Sequence, residues 1–228
     1  APAARPATPQ KSIVFRRRIG MDESGKGDYF GPLVAASVLL PDAETERFLR
    51  EKGVRDSKLV PDPEALLLAS LVRARCPTSV VVLPPSKYND LYEKIGNLNT
   101  LLAWAHARAL EDLLAEHPCD LAILDQFAKA ERVMGEALME RGRAVTLQQA
   151  VGAEADTAVA AASLVARGEF LRGLAELSTE AGMTLPKGAG PGVIQAARAY
   201  VARHGRPALR GVAKLHFATT ERVDTRQG

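Results

Sequence analysis

Two adjacent acidic residues, Asp22 and Glu23, are the first candidates for chemistry in this sequence. They lie in the segment Ile-Gly-Met-Asp-Glu-Ser-Gly-Lys-Gly-Asp, where we predict that a buried strand ends. Burying two like charges side by side is costly, and a divalent cation is the usual compensation. Because oxygen ligands favour a hard cation, the pair predicts a Mg²⁺ or Mn²⁺ site. An exposed turn with two solvated acids is the competing interpretation.

Further acidic residues occur at comparable places. Asp125 follows a short apolar run, and Glu154 and Asp156 stand at the start of an Ala-rich apolar helix. Three such places in one α/β domain predict a carboxylate cluster that could hold two metal ions and clamp a scissile phosphodiester. For Glu154 and Asp156 the alternative is a cap that complements the helix dipole.

The loop Gly25-Lys26-Gly27 directly follows the acid pair. Its glycines let the backbone approach a ligand closely, and its lysine supplies a positive charge. Gly20–Gly27 also approximates a nucleotide phosphate loop, which would make the protein a nucleotide hydrolase. That motif requires a Ser or Thr after the lysine, whereas Gly27 stands there, and two acids inside the loop would repel phosphates. We therefore rank the nucleotide site below the metal site.

The elements that must position these residues alternate along the chain. Apolar runs predict strands, and longer periodic segments predict helices, of which one has Asp62 as its cap and another opens on Asn99-Thr100. The strands are predicted at 12–20, 33–40, 79–83, 120–124 and 144–149, and the helices at 63–75, 99–116, 128–142, 154–178 and 191–203. A hairpin followed by alternating strands and helices predicts an α/β or α+β fold with a mixed sheet, flanked by helices and followed by a basic helical extension.

Composition limits the class of protein. The 228 residues are 46% hydrophobic and 25% charged, which excludes wholesale disorder and a disulfide-built miniprotein. No run reaches the roughly 18 apolar residues of a membrane span. Two cysteines favour a reducing, cytoplasmic location. Residues 1–18 carry five basic and no acidic side chains, and the C-terminal segment is also basic, so basic ends flank an acidic centre. This pattern suits a nucleic-acid partner.

The domain organisation predicted from these patterns is simple. Residues 1–11 form a Pro/Ala-rich flexible leader, residues 12–222 form one catalytic domain, and residues 223–228 form a tail. On the helix 99–116 we expect Trp104 in the core and His106 partly buried, while His216 is an open candidate for substrate or proton-transfer chemistry.

Seven motifs, in order over nearly the whole chain, resemble the ribonuclease HII and HIII family, and Asp28–Pro32 is similar to the HIII type. The matching segments are 22–32, 55–59, 97–99, 124–127, 158–167, 185–190 and 213–220. The resemblance implies a ribonuclease H-like fold and an endonuclease that cuts the RNA strand of RNA–DNA hybrids, leaving 5′-phosphate and 3′-hydroxyl ends. The HIII type normally carries an N-terminal substrate-binding domain, and here only the leader precedes the catalytic body.

The resemblance also assigns residues. Four acids would be the catalytic ligands of two Mg²⁺ or Mn²⁺ ions: Asp22, Glu23, Asp125 and Glu154, with Asp156 as the alternative fourth ligand. Gly25, Lys26 and Gly27 would read the 2′-hydroxyl. Ser57 and Lys58 would contact phosphates, and Lys187 and Lys214 would contact substrate. We expect a monomer with no membrane partner. A non-catalytic hybrid-binding module is the alternative, although a pure binder would gain nothing from acids that face phosphates.

Overall fold

The structure is a computed structural model that describes residues 15–125 and 131–224. The leader predicted at 1–11 and the end of the tail at 225–228 lie outside these residues, as do Gln126 and Phe127 of one family motif. The division into leader, domain and tail therefore stays a prediction. Among the described helices, none has both the length and the apolar character that crossing a bilayer would require.

The described strands form one mixed sheet, as the sequence predicted. In chain order they are β1 (Arg18–Ser24), β2 (Leu33–Leu40), β3 (Thr78–Leu83), β4 (Leu121–Asp125) and β5 (Thr146–Ala150). Their order across the sheet is β3-β2-β1-β4-β5. The pairs β1–β2 and β2–β3 are antiparallel, whereas β1–β4 and β4–β5 are parallel. Because β1 and β4 are parallel neighbours, their C-terminal ends reach the same edge.

Helices cover both faces of this sheet. They are α1 (Ala43–Glu51), α2 (Asp62–Arg75), α3 (Pro85–Ile95), α4 (Leu98–Glu116), α5 (Glu131–Ala137), α6 (Glu140–Arg143), α7 (Thr157–Glu180), α8 (Pro191–His204), α9 (Leu209–Val212) and α10 (Ala218–Asp224). One core lies between the sheet and α7, with α2 and α8 behind it. A second core lies between the sheet and α4. The sheet therefore stands between two apolar layers.

Small residues bring α7 directly against the central strand, as its Ala-rich sequence predicted. Gly20 of β1 faces this helix, and a Cβ added there would lie 2.0 Å from the carbonyl carbon of Ala158. No side chain larger than hydrogen fits at that distance. Gly20 is thus a packing residue inside a strand, and no helix follows Gly27, because the chain continues into β2. The strand-loop-helix context of a nucleotide phosphate loop is absent here, so that hypothesis is wrong.

Several predicted boundaries need correction. Of the first strand predicted at 12–20, residues 12–14 lie outside the described part and residues 15–17 are not in a strand. The strand β1 starts at Arg18 and continues to Ser24, because β2 pairs with it along its whole length. Asp22 and Glu23 therefore lie inside the strand's last residues instead of after it. Asn97, not Asn99-Thr100, caps α4. Pro61 precedes α2, and Asp62 is its first residue, with its carboxylate bonded to Arg167 and Lys187.

Other differences concern helices and one side chain. The helix predicted at 128–142 is divided into α5 and α6, with residues 128–130 outside the described part. The helices α1, α3, α9 and α10 were not predicted as separate helices. Trp104 was expected in the core but is 36% exposed, because it lies on the outer face of α4, whereas His106 on the same helix is fully buried.

Candidate active site

A cleft of about 660 Å³ opens where β1 and β4 end. Among the residues that line it are three of the predicted acidic ligands, Asp22, Glu23 and Asp125, together with the loop Gly25–Gly27 and the polar side chains of Ser57, Lys58 and Lys187. Of the residues that the sequence nominated for the site, four do not line this cleft: Glu154, its alternative Asp156, Lys214 and His216. The fold thus brings together side chains that are as far apart in sequence as residues 22 and 187.

Asp22 lies at the buried floor of the cleft. It is 8% exposed, and its Oδ1 accepts a hydrogen bond from the backbone N–H of Glu23 at 2.8 Å. Burial, followed by the negative charge of Glu23 and a smaller contribution from Asp125, raises the pKa of Asp22 to about 8. The position therefore disfavours an isolated negative charge, and a bound cation would reverse that preference.

Glu23 is held by two basic side chains. His106 Nε2 lies 3.0 Å from Glu23 Oε2 and donates to it, because a carboxylate can only accept. Lys26 Nζ lies 3.6 Å from Oε1. Burial by itself would raise the pKa of Glu23, but the hydrogen bond and charge of His106, with Lys26, outweigh it and lower the pKa. Glu23 is therefore a fixed carboxylate with a defined orientation.

Two further acids belong with Asp22 and Glu23 in what we call the acidic group. Asp125 ends the neighbouring strand β4, and Glu154 lies in the turn after β5. The register of β1 with β4 pairs Met21 with Leu124, so Asp22 and Asp125 follow at the same level. Asp125 Oδ1 accepts from Ala153 N at 3.1 Å, and its pKa is raised by burial and by the charge of Glu154. Glu154 lines the adjacent cleft and binds Lys58 Nζ at 2.9 Å, which lowers its pKa.

Asp156, the alternative fourth acid, has other partners. Its Oδ1 accepts from Ala158 N and caps α7, and its Oδ2 accepts from Arg18 Nε at 2.8 Å. Both carboxylate oxygens are therefore engaged outside the cleft. This placement favours Glu154 as the member of the acidic group.

The donor set fits a hard divalent cation. The acidic group Asp22, Glu23, Asp125 and Glu154 offers carboxylate oxygens, which Mg²⁺ and Mn²⁺ prefer. Burial and neighbouring negative charge raise the pKa values of Asp22 and Asp125, as expected where positive charge is needed. In residues 15–125 and 131–224, however, no three His, Cys, Asp or Glu side chains are close enough to enclose an ion as they stand. The four carboxylates therefore do not converge on one point in this structure. Glu23 is paired with His106 and Lys26, and Glu154 is paired with Lys58.

The glycine loop depends on its first glycine for its shape. Gly25 has φ +85°, and a Cβ there would lie 2.1 Å from the carbonyl oxygen of Pro32. Around Gly27, in contrast, a Cβ would meet nothing within 4 Å. Gly25 is therefore required by the fold, whereas the absence of a side chain at Gly27 leaves the cleft open beside the backbone.

The opposite side of the cleft is the turn that contains Ser57 and Lys58. Ser57 Oγ and Ser163 Oγ are hydrogen-bonded at 2.5 Å, and Arg167 donates to the Ser57 carbonyl. Arg167 also binds Asp62. Ser163 and Arg167 thus tie this turn to α7, and both also line the cleft.

The two remaining basic candidates have different environments. Lys187 lines the cleft, and its ammonium binds Asp62. Lys214 does not line it: the side chain is 1% exposed and donates to the carbonyl oxygens of Asp28 and Gly31. The expectation of a direct substrate contact at Lys214 therefore needs correction, because the side chain lies behind the loop instead of on its surface.

Sequence reasoning assigned no role in the site to His106, Ser163, Arg167 or Phe170. The last three recur at spacings of four and three residues on α7, so helical periodicity could have placed them on one face. His106 left no such signal, since 83 residues separate it from Glu23. His216, the open candidate, stacks on Tyr92 with ring centroids 4.2 Å apart and does not line the cleft.

Comparisons with known proteins agree on one family. The family model described as Ribonuclease HII matches residues 19–220. "Ribonuclease HIII" of Chlamydia pneumoniae is 43% identical over 210 residues, which are 92% of this chain and 70% of that protein. "Ribonuclease HIII" of Chlamydia abortus is 44% identical over 207 residues, which are 90% of this chain and 69% of that protein. The crystal structure of Bst-RNase HIII in complex with Mn²⁺ is similar with a TM-score of 0.83 at 31% identity, covering 97% of this chain and 75% of that one.

Proposed function

The chain belongs to the ribonuclease HII family, and from this premise we propose that the cleft beside β1 and β4 is where it cleaves the RNA strand of RNA–DNA hybrids. Ribonuclease H activity as an endonuclease on such hybrids is the activity of its family. The observation that carries the assignment of the site is the buried Asp22 beside Glu23 and Asp125, in one cleft with the Gly25–Gly27 loop.

The acidic group is proposed to hold divalent metal, and the similar Bst-RNase HIII was crystallised with Mn²⁺. We propose Asp22, Glu23, Asp125 and Glu154 as the ligands of Mg²⁺ or Mn²⁺, with two ions as the fuller complement. Bound there, the metal would supply Lewis-acid polarisation of the scissile phosphate and a water of lowered pKa. His106 would keep Glu23 oriented, and Lys58 would pass from Glu154 to a substrate phosphate.

Substrate recognition is proposed to come from the two sides of the cleft. The exposed backbone at Gly27 would approach the 2′-hydroxyl, which distinguishes RNA from DNA. Ser57, Lys58 and Lys187 would contact backbone phosphates from the other side. Hydrolysis in this arrangement would leave 5′-phosphate and 3′-hydroxyl ends. We further propose a cytoplasmic monomer, consistent with Cys76 and Cys119 both being free thiols.

The test is cleavage of an RNA–DNA hybrid labelled on its RNA strand, with Mg²⁺, with Mn²⁺ and with EDTA. We expect internal cuts in the RNA strand with at least one metal and none with EDTA, while a DNA duplex of the same sequence stays intact. Cleavage that persists in EDTA would contradict the metal assignment. Tight hybrid binding without cleavage under any metal would favour the non-catalytic binding module instead.

A further inference from the structure

Lys214 makes an unusual set of contacts for a lysine. Its ammonium donates to the carbonyl oxygens of Asp28 at 2.9 Å and Gly31 at 2.7 Å. Its backbone N–H donates to the carbonyl oxygen of Tyr29 at 2.8 Å. A single residue therefore satisfies three carbonyl groups in the short segment that follows the glycine loop.

This segment and the glycine loop form one closed turn, residues 25–32. The backbone of Gly25 lies so close to Pro32 that a Cβ at residue 25 would be 2.1 Å from the Pro32 carbonyl oxygen. The N–H of Asp28 donates to the Gly25 carbonyl at 3.3 Å. Because the turn is closed on itself, we expect a displacement at residues 28–31 to move residues 25–27 as well.

The residues around Lys214 are anchored in turn to the body of the protein. Asn89 of α3 is 3% exposed, and its amide group donates to the Ala213 carbonyl at 2.9 Å and accepts from Leu215 N at 2.9 Å. The N–H of Gly31 donates to the Val212 carbonyl at 3.1 Å. We call residues 212–215 the strap, since they connect the closed turn to α3.

Burying an ammonium group at this place is expensive. The side chain is 1% exposed, and burial lowers the pKa of Lys214 to about 7, although the charge of Asp28 opposes this shift. A methionine would fill a similar volume without the cost of desolvating a charge. What lysine adds is directed donation to two carbonyl groups, which no apolar side chain can supply.

We propose that Lys214 is a positioning residue that holds the Gly25–Gly27 loop in the geometry that discriminates RNA from DNA, without touching the substrate. This inference rests on the proposed function, in which that loop approaches the 2′-hydroxyl. In this proposal Lys214, which the sequence analysis expected to contact substrate directly, acts through the strap. It holds in place the glycine loop, and the glycine loop contacts the substrate.

The experiment compares Lys214→Met and Lys214→Gln with the wild type. Affinity for an RNA–DNA hybrid and for a DNA duplex of the same sequence is measured in EDTA by fluorescence anisotropy, and KM and kcat are measured on the hybrid with metal. For Lys214→Met we expect the ratio of hybrid to DNA-duplex affinity to fall about tenfold, with KM rising more than kcat falls. Lys214→Gln, which keeps an N–H donor, should recover part of the ratio.

Two controls separate positioning from general damage. Lys52→Met removes an exposed lysine at the end of α1 and should leave the affinity ratio unchanged. Asn89→Leu weakens the strap while leaving Lys214 in place, so it tests the same mechanism if Lys214→Met does not fold, and it should lower the ratio in the same direction.

Three results would overturn the inference. The first is a folded Lys214→Met protein with the wild-type affinity ratio and KM. The second is an equal loss of hybrid and DNA-duplex affinity, which would indicate a direct phosphate contact. The third is a wild-type protein that cleaves hybrids yet does not discriminate them from DNA in binding. Absence of cleavage by the wild type would overturn the proposed function as well, so the two failures are distinguishable.

Discussion

The floor of the cleft and its rim differ in charge, burial and support. We define the floor as Asp22, Glu23 and Asp125, which lie on two parallel strands, and the rim as Lys26, Lys58 and Lys187, which lie in turns outside the strands and α-helices. Asp22 is 8% exposed, whereas the side chain of Lys58 is 71% exposed. Buried charges interact strongly and reorganise little, while exposed charges are screened by water and salt. Changes in the floor should therefore affect the chemistry, and changes in the rim should affect binding.

The largest effect is expected from Asp22→Asn in the floor. We expect the cleavage rate to fall on the order of a thousandfold or more, because an amide cannot replace a carboxylate in the metal site. Hybrid binding in EDTA should persist or tighten, and the melting temperature should rise, since an amide avoids the cost of protonating or ionising a buried carboxyl beside Glu23. Single-turnover cleavage, anisotropy and thermal unfolding measure the three effects.

The matched control is Asp120→Asn, the same change at an exposed position just before β4. It should leave all three quantities unchanged. If Asp22→Asn retained metal-dependent cleavage at the wild-type rate, the floor would not be the catalytic element, and the contrast between floor and rim would fail.

The second largest effect is expected within the glycine loop, which joins the floor to the rim. Gly25→Ala places a Cβ against the Pro32 carbonyl at positive φ, so we expect a loss of about 1–3 kcal/mol of unfolding free energy, with weaker hybrid binding. Gly27→Ala has no such clash and should keep the stability while raising KM for the hybrid. Chemical denaturation and steady-state kinetics separate the two variants, and equal destabilisation by both would contradict this account of the loop.

Lys214 differs from the rim lysines, because its ammonium group is buried behind the glycine loop instead of being exposed in the cleft. Its pKa is about 7 in the folded protein and 10.5 in the unfolded chain, so between these values the unfolded chain binds a proton that the folded protein lacks. The unfolding free energy should therefore rise with pH in this window, by about 1 kcal/mol per pH unit relative to Lys214→Met, which does not titrate.

Denaturation of both proteins at pH 7, 8 and 9 measures this difference. The burial penalty is fully present below pH 7 and is relieved as the pH rises toward 10.5. A stability difference between wild type and Lys214→Met that stays constant over this range would contradict the burial of a titrating ammonium group.

The smallest effect is expected from Lys187→Met in the rim. Because Lys187 is exposed and already paired with Asp62, we expect KM to rise only about threefold, with kcat nearly unchanged. The slope of log affinity against log salt should become shallower by about one. Lys52→Met is the control for loss of a remote charge. A fall in kcat without a change in the salt slope would contradict this prediction, because it would mean that Lys187 affects the chemistry, as the floor residues are expected to do.

Prediction from sequence succeeded where the signal was local. The apolar run 33–40 between two prolines is β2 to the residue, because continuous burial on both faces leaves a recognisable pattern. Local sequence also predicted that the acid pair lies where a strand ends and that the glycine loop follows it directly. Trp104 was misplaced, because the periodicity of α4 did not show that residue 104 lies on the side of the helix that faces solvent.

The sequence by itself determined the mixed α/β class, the acidic residues, the glycine loop and the family to which they belong. Only the tertiary structure decided that His106 orients Glu23 across 83 residues, that Asp156 is a cap while Glu154 joins the acidic group, and that Lys214 lies behind the loop. The physical reason is that residue type and spacing encode what a side chain can donate or accept. Which group it meets depends on the packing of distant elements, here the contact of α7 with β1 and of the strap with residues 28–31.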